Sequence, residues 1–225
     1  MARTAYFGSE LFAFLKALPA HNNREWFHAN KDRYDRDVKQ PVLRFIADFE
    51  PRLKKISKCY VADARSAMRP NRDVRFSADK SPYKTMAGAL FKHALGKTTP
   101  APGFMLHLEP GHSFAGIGLR GPDPKTLKNV RDAIVADPKA WKQAISGKAF
   151  KTQCELTSES LSRPPRGYDP NHAFIEDLKR RHYCTITPFT EREASAPDFL
   201  DRYTEVCRLN APLMAFLCKA LKLSW

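Results

Sequence analysis

The sequence predicts an α+β fold, a single domain over residues 1–225, in which a mainly antiparallel sheet is covered by N-terminal and C-terminal helices. Two observations lead there. Apolar residues recur at helical spacing up to residue 57 and again beyond 124, whereas between Val61 and Leu119 they fall in short runs punctuated by Pro and Gly. One core can serve a chain of 225 residues, and no repeat, low-complexity tract or flexible linker divides it. With 43% apolar residues, the chain carries enough buriable surface to offset its conformational entropy.

Taken in order, Phe7, Leu11, Phe12, Phe14, Leu15 and Leu18 share a helical stripe over residues 9–18, with Gly8 or Ser9 as N-cap and Pro19 as the stop. Asn22 or Asn23 can cap a second helix carrying Trp26, Phe27 and Tyr34. Pro41 starts a third, with Val42, Phe45, Ile46, Phe49, Leu53 and Ile56 on one face. The helical N-terminal part thus covers about residues 9–57.

Four runs then read as strands of one sheet over about 61–119: 64–69, 86–94, 104–109 and 112–119. The last two flank Pro110-Gly111. There Phe104, Leu106 and Leu108 alternate with Met105, His107 and Glu109, the pattern of a hairpin with one buried face. Gly116 and Gly118 mark a bulge or a close backbone approach. Over the helical C-terminal part, about 124–221, helices are expected at 125–135, 138–145 and 173–181. A Pro-rich loop lies at 163–170, a strand at 183–188 returns to the sheet, and a final helix is interrupted at Asn210-Ala-Pro212.

Lys and Arg outnumber Asp and Glu by 38 to 24, a net charge of +14 that favours phosphates, acidic ligands or nucleic acid as partners. The five cysteines are scattered without a Cys-x-x-Cys pair, so they read as reduced thiols rather than a disulfide framework or zinc knuckle. The first residues lack the apolar core of a signal peptide and no stretch is long enough to span a bilayer, so a cytoplasmic protein with no membrane role is expected.

Two familiar motifs fail. Leu95-Gly-Lys-Thr-Thr99 resembles the end of a P-loop, but Phe91 stands where that motif needs a glycine. Gly111-His-Ser-Phe-Ala-Gly116 has one residue too many for a nucleophile elbow and sits in a hairpin, so Ser113 reads as a strand serine. His107, Glu109 and His112 can cluster around the turn, yet spacing offers no fourth ligand and solvated or packed side chains are the commoner outcome, so no metal is assigned.

The densest chemistry lies in Arg69-Pro-Asn-Arg-Asp-Val-Arg-Phe-Ser-Ala-Asp-Lys-Ser-Pro-Tyr-Lys84. Arg72, Arg75, Lys80 and Lys84 can ring a phosphate or carboxylate, with Ser77, Ser81 or backbone N–H groups completing a cradle. Asp73 and Asp79 would orient the cations or act as acid/base groups, and Tyr83 is a third weak catalytic candidate. Trp26 and Arg166 are the expected walls of such a site. The competing reading makes the same charges ion pairs that pin a long loop to the sheet, anchored by Phe76 and Tyr83.

Asn22-Asn-Arg-Glu-Trp-Phe27, the run Arg72-Asp-Val-Arg-Phe-Ser-Ala-Asp-Lys-Ser-Pro-Tyr-Lys84, His107–Pro110 and Arg163-Pro-Pro-Arg-Gly-Tyr168 together resemble the bacterial family called domain of unknown function 2461. The resemblance runs in order along nearly the whole chain. It carries no activity, cofactor or catalytic residue onto any position here. Leu119 departs from it, standing where an aromatic is expected.

Three function classes follow. The first is binding, with or without turnover, of an anionic small molecule at the basic loop. The second is sequence-independent nucleic-acid binding by the same cations with Arg166, Lys179, Arg180 and Arg181. The third is a non-enzymatic scaffold with a structural basic loop. Neither cofactor nor oligomeric state is fixed by the sequence.

Overall fold

The computed structural model describes residues 5–96 and 98–225. Lys97, within the rejected P-loop run, and the residues 1–4 that begin the expected leaderless N-terminus lie outside the described residues. Six strands form one antiparallel sheet: β1 (Tyr60–Val61), β2 (Ala87–His93), β3 (Gly103–Leu108), β4 (Ser113–Leu119), β5 (Glu155–Leu156) and β6 (Tyr183–Phe189), in the order β1-β2-β3-β4-β6-β5. Helices α1 (Ser9–Ala17), α2 (Arg24–Ala29), α3 (Lys31–Tyr34) and α4 (Gln40–Ile56) precede the long strands. After them come α5 (Pro124–Ala136), α6 (Pro138–Ile145), α7 (Lys148–Gln153), α8 (Ile175–Lys179), α9 (Glu191–Ala194), α10 (Phe199–Leu209) and α11 (Ala211–Ala220). The expected α+β domain is the one observed.

Strand alternation sorts the sheet into two unlike faces. Ala89, Phe91, Phe104, Leu106, Ala115 and Ile117 point inward and are fully buried. Over β1 to β4 they meet Phe14, Phe45, Phe49 and Tyr203 from α1, α4 and α10; nearer β6, Leu119 and Tyr183 meet Val130, Trp141 and Leu217 from α5, α6 and α11. Both helical layers therefore lie against one face, and the whole apolar core is on that side.

Several expectations shift for identifiable reasons. Residues 64–69 are not a strand: Asp63 and Ser66 form a capping box that winds Ala64–Ser66 into a 3-10 turn, leaving Ala67 a single bridge to Ala89. Pro41 does not open a new helix from a loop. A π-helical turn, Asp35–Lys39, joins α3 to α4, and Pro41 falls in the first turn of α4, where its missing N–H is harmless. The expected helix over 173–181 shrinks to α8, because Arg180 turns to extended backbone and sends its guanidinium to Asp177 (2.8 Å) and the Thr157 carbonyl (2.7 Å).

The interruption at Asn210 separates two abutting helices. Buried Asn210 donates to the Val206 carbonyl (2.9 Å) and accepts from Thr185 (2.7 Å), which satisfies a helix junction that Pro212 would otherwise leave ragged. All five cysteines are free thiols, and four are buried. Among the described residues, no helix is long and apolar enough to cross a membrane.

Candidate functional site

The basic segment folds back on itself. Arg72 N–H donates to the Pro82 carbonyl (2.9 Å) and Lys84 N–H to that of Pro70 (2.7 Å), so the run is a broad hairpin whose base sits beside β2. Asn22 clamps that base: its amide donates to the Tyr83 carbonyl (2.9 Å) and its carbonyl accepts from Tyr83 N–H (3.0 Å). The Tyr83 ring lies flat on Phe27, with centroids 3.9 Å apart. These contacts tie the Asn22 motif to the basic motif, two segments about 60 residues apart.

Within the loop the cations find partners of their own. Arg72 pairs with Asp79, and Arg75 with Asp73 at 2.7 Å. Lys80 donates to the Val74 carbonyl (3.0 Å) and Lys84 to that of Arg69 (2.9 Å). Hydrogen bonds from Ser81 and Arg72 hold the Asp79 carboxyl well below its ordinary range, and the hydrogen bond from Arg75 lowers that of Asp73. Burial, then the neighbouring Arg69, lowers the Lys84 ammonium.

Of the expected site residues, Arg72, Lys84, Asp79 and Tyr83 border a common hollow of about 470 Å³, together with Asn22 and Thr85. Arg75, Lys80 and Asp73 do not border it; they lie on the exposed side of the loop, where Phe76 is 95% exposed instead of anchoring the loop in the core. Trp26 packs on Phe14 and stacks on His21, half-buried at the start of α2. Arg166 is exposed on the loop whose Tyr168 hydroxyl bonds Asp132 of α5 (2.8 Å), so neither expected wall borders the hollow.

A larger concavity lies on the face of the sheet opposite the core. Register places its outward side chains in transverse rows: Lys92, Gly103, Gly118 and Cys184; then Leu90, Met105, Gly116 and Ile186; then Gly88, His107, Phe114 and Pro188. Gly103, Gly116 and Gly118 remove side chains from the floor, while Leu90, Met105, Phe114 and Ile186 rise around them, leaving a groove of about 680 Å³. Gly118 is obligatory for a second reason. Its φ is +129°, and a Cβ there would come within 2.3 Å of the Tyr183 carbonyl oxygen. The expected close approach is thus real at Gly118, and β4 pairs with both neighbours without a bulge.

The ionisable nitrogen side chains that line this groove have no carboxylate among them, although Glu109 pairs with two of the imidazoles from outside the lining. Lys92 and Arg120 border one end and His107 and His112 the other, and no Asp or Glu is among the described residues that line it. Four residue steps of β3, from Gly103 to His107, separate the ends, about 13 Å of strand. Sequence reasoning singled out the histidines but not Leu90, Lys92, Met105, Phe114, Arg120 or Ile186. The available signal was the alternation itself, since outward positions of β3, β4 and β6 carry Gly, Met, Phe and Ile where a solvated face would carry polar residues.

At the His end, the turn has the form its residues demand. Pro110 supplies a fixed φ, Gly111 sits at φ +74°, and His112 N–H donates to the Glu109 carbonyl at 3.0 Å. Glu109 and His112 are therefore opposite one another. Ser113 holds the turn by donating to the Glu109 carbonyl (2.9 Å) and accepting from its N–H (3.1 Å), a structural serine as expected. Glu109 Oε2 lies 2.9 Å from His107 Nε2 and 3.5 Å from His112 Nδ1, while Oε1 accepts from Thr85 (3.1 Å).

His107 stacks on Phe114 with centroids 4.5 Å apart, and its buried Nδ1 has no hydrogen-bond partner among the described residues. Burial lowers the His107 imidazole against the opposing pull of Glu109. For Glu109, burial would raise the carboxyl, but hydrogen bonds from His107 and Thr85 outweigh it and leave it below its ordinary range. Thr85 borders the hollow beside the basic loop, so Thr85 and Glu109 link that hollow to the end of the groove.

No curated protein and no solved structure matches this chain. One family model does, described as a conserved hypothetical protein (DUF2461), and it spans residues 10–216. That span covers the helices that clamp the basic loop, the loop, the glycine-floored strands and the His-Glu turn, and on it the chain belongs to the DUF2461 family.

Proposed function

We propose that the protein binds a small amphiphilic anion, a carboxylate or phosphate on an apolar body, in the groove on the open face of the sheet. One observation carries the reading: the groove combines an apolar, glycine-floored bed with cationic and imidazole groups at both ends and no carboxylate among its described lining residues. Its volume of about 680 Å³ falls in the range of clefts that hold small molecules. An apolar hollow left uncovered beside a complete core on the other face is the kind of surface that marks a binding site.

The reading keeps an anionic ligand but moves it from the basic loop to the groove. In the loop, Asp73 and Asp79 already neutralise Arg75 and Arg72, and the two lysines are spent on carbonyls. An anion there would have to displace bonds that exist; in the groove, Lys92 and Arg120 are exposed, and the ion pair of Arg120 with Glu159 is long, at 3.8 Å. The loop then serves as a brace that fixes Thr85 and the end of the sheet.

Octanoate and octanol, titrated in the presence of a chelator, test this reading with an apolar body that does or does not carry charge. Octanoate is expected to bind at least fivefold more tightly than octanol, a gap of about 1 kcal/mol from partly screened cations. Lys92→Ala with Arg120→Ala should remove most of that gap, and Gly116→Phe, which fills the floor, should abolish binding of both. Equal affinity for the two probes, or binding unaffected by Gly116→Phe, would overturn it.

A further inference from the structure

Beyond organic-anion binding, we infer that His107, Glu109 and His112 form a binding site for a divalent first-row metal ion at the end of the groove. The ligand atoms, His107 Nε2, Glu109 Oε2 and His112 Nδ1, all lie within 4.8 Å of one another. Two of the separations are 2.9 and 3.5 Å. Bonds of about 2.0–2.1 Å to a tetrahedral ion place neighbouring donors about 3.3–3.4 Å apart, so both Glu109 separations already lie within about half an ångström of a coordination sphere, and the two imidazole nitrogens, within 4.8 Å of each other, close on the ion by rotation of the exposed His112 side chain.

The fold supports that geometry. The Pro110-Gly111 turn sets Glu109 opposite His112, and strand alternation sets His107 on the same side two residues earlier. Phe114 holds the His107 ring by stacking, and Thr85 fixes the carboxylate through its other oxygen, the outer support that metal-binding carboxylates need. His107 is 12% exposed and His112 73%, so one donor is pre-set inside while the other closes from solvent.

Two imidazoles and one carboxylate suit zinc and the neighbouring divalent ions better than magnesium or calcium, which prefer all-oxygen sets. Among the described residues no fourth His, Cys, Asp or Glu joins the group. Three protein donors leave a position for water or an anionic group, and His107 and His112 both border the groove, so that position opens toward the bed proposed for the organic anion. The ion site stands whether or not the groove takes such a ligand.

The test uses the full-length, metal-free protein and the ions alone. Zn²⁺ is titrated in competition with a chromophoric chelator, and Co²⁺ is added as a spectroscopic probe. The expected result is one equivalent of Zn²⁺, weakened at least tenfold by His112→Ala and by Glu109→Gln. In the wild type, Co²⁺ should give the intense visible absorption of a four- or five-coordinate site, lost in both variants. The exposure of His112 makes its replacement safe for folding, and Glu109→Gln keeps the side-chain shape. Absence of stoichiometric Zn²⁺ binding, or affinity and Co²⁺ spectra unchanged in both variants, would overturn the inference. Because no organic ligand is present, failure here leaves the octanoate result untouched, and the converse also holds.

Discussion

The two faces of the sheet are built from the same strands and could hardly differ more. Inward positions of β3 and β4 carry Phe104, Leu106, Ala115 and Ile117, all fully buried under two helical layers. The outward neighbours are Gly103, Met105, Gly116 and Gly118, with no helical layer over them among the described residues. The inner face holds the apolar packing of the core, and the outer face carries glycines at Gly103, Gly116 and Gly118 where such packing is absent. A hollow maintained at the expense of packing is more readily explained by a ligand than by the fold.

The contrast can be broken first through stability. Leu106→Ala removes a fully buried side chain and should cost about 2–5 kcal/mol, whereas Met105→Ala, one residue away on the open face, should cost less than about 1.5 kcal/mol. Denaturant unfolding of the two variants measures the difference. Equal losses would mean that the outer face is packed after all.

A smaller but sharper contrast lies within the groove floor. Gly118→Val imposes a side chain at φ +129° and should cost at least about 1–3 kcal/mol in unfolding free energy. Gly116 has ordinary strand backbone, and its nearest obstacle is the Phe114 ring at 3.3 Å, so Gly116→Val should stay within about 0.5–1 kcal/mol while narrowing the groove.

The basic loop is tied to the packed side by Asn22, whose two hydrogen bonds to Tyr83 are worth about 1–2 kcal/mol together. Asn22→Ala should lower stability by that amount and speed hydrogen exchange at Arg72 and Lys84, while leaving octanoate affinity within about twofold. A large loss of affinity would return the anion site to the loop.

The smallest expected effect is acid loosening of that loop. Asp79 and Asp73 titrate lower in the folded protein than in the unfolded chain, so their contribution is fully present above pH about 4 and fades as pH falls toward their folded values. Exchange protection of the Arg72 and Lys84 amides should therefore hold from pH 7 to about 4 and weaken below it. Loss of protection nearer pH 6 would implicate other groups.

The fold was largely legible in the sequence because local signals agreed with it. Phe45, Phe49 and Leu53 marked α4, Pro110-Gly111 marked its hairpin, and the strand at 183–188 was found where β6 lies. Misreadings fell where a side chain overrode the periodicity, as Asp63 does in capping the 3-10 turn and Arg180 in ending α8. Short elements such as α7 and β5 carry too few residues to show a period.

The site was legible in part. The meeting of His107, Glu109 and His112 was legible because strand alternation and the Pro110-Gly111 turn bring them together. The groove did not, because Lys92 of β2, Phe114 of β4 and Ile186 of β6 meet only through a register set by pairing of strands far apart in sequence. The basic loop drew attention through its density of charge, which sequence shows plainly; that the charges neutralise one another depends on how the chain folds back.

Titrating ¹⁵N-labelled protein with octanoate and following every backbone amide tests the central claim most directly. Saturable shifts are expected at Leu90, Met105, Gly116, Gly118 and Ile186, with Asn22, Ser81 and Lys84 unmoved. Shifts confined to Asn22, Arg72, Ser81 and Lys84, with the outer strand residues silent, would contradict the account.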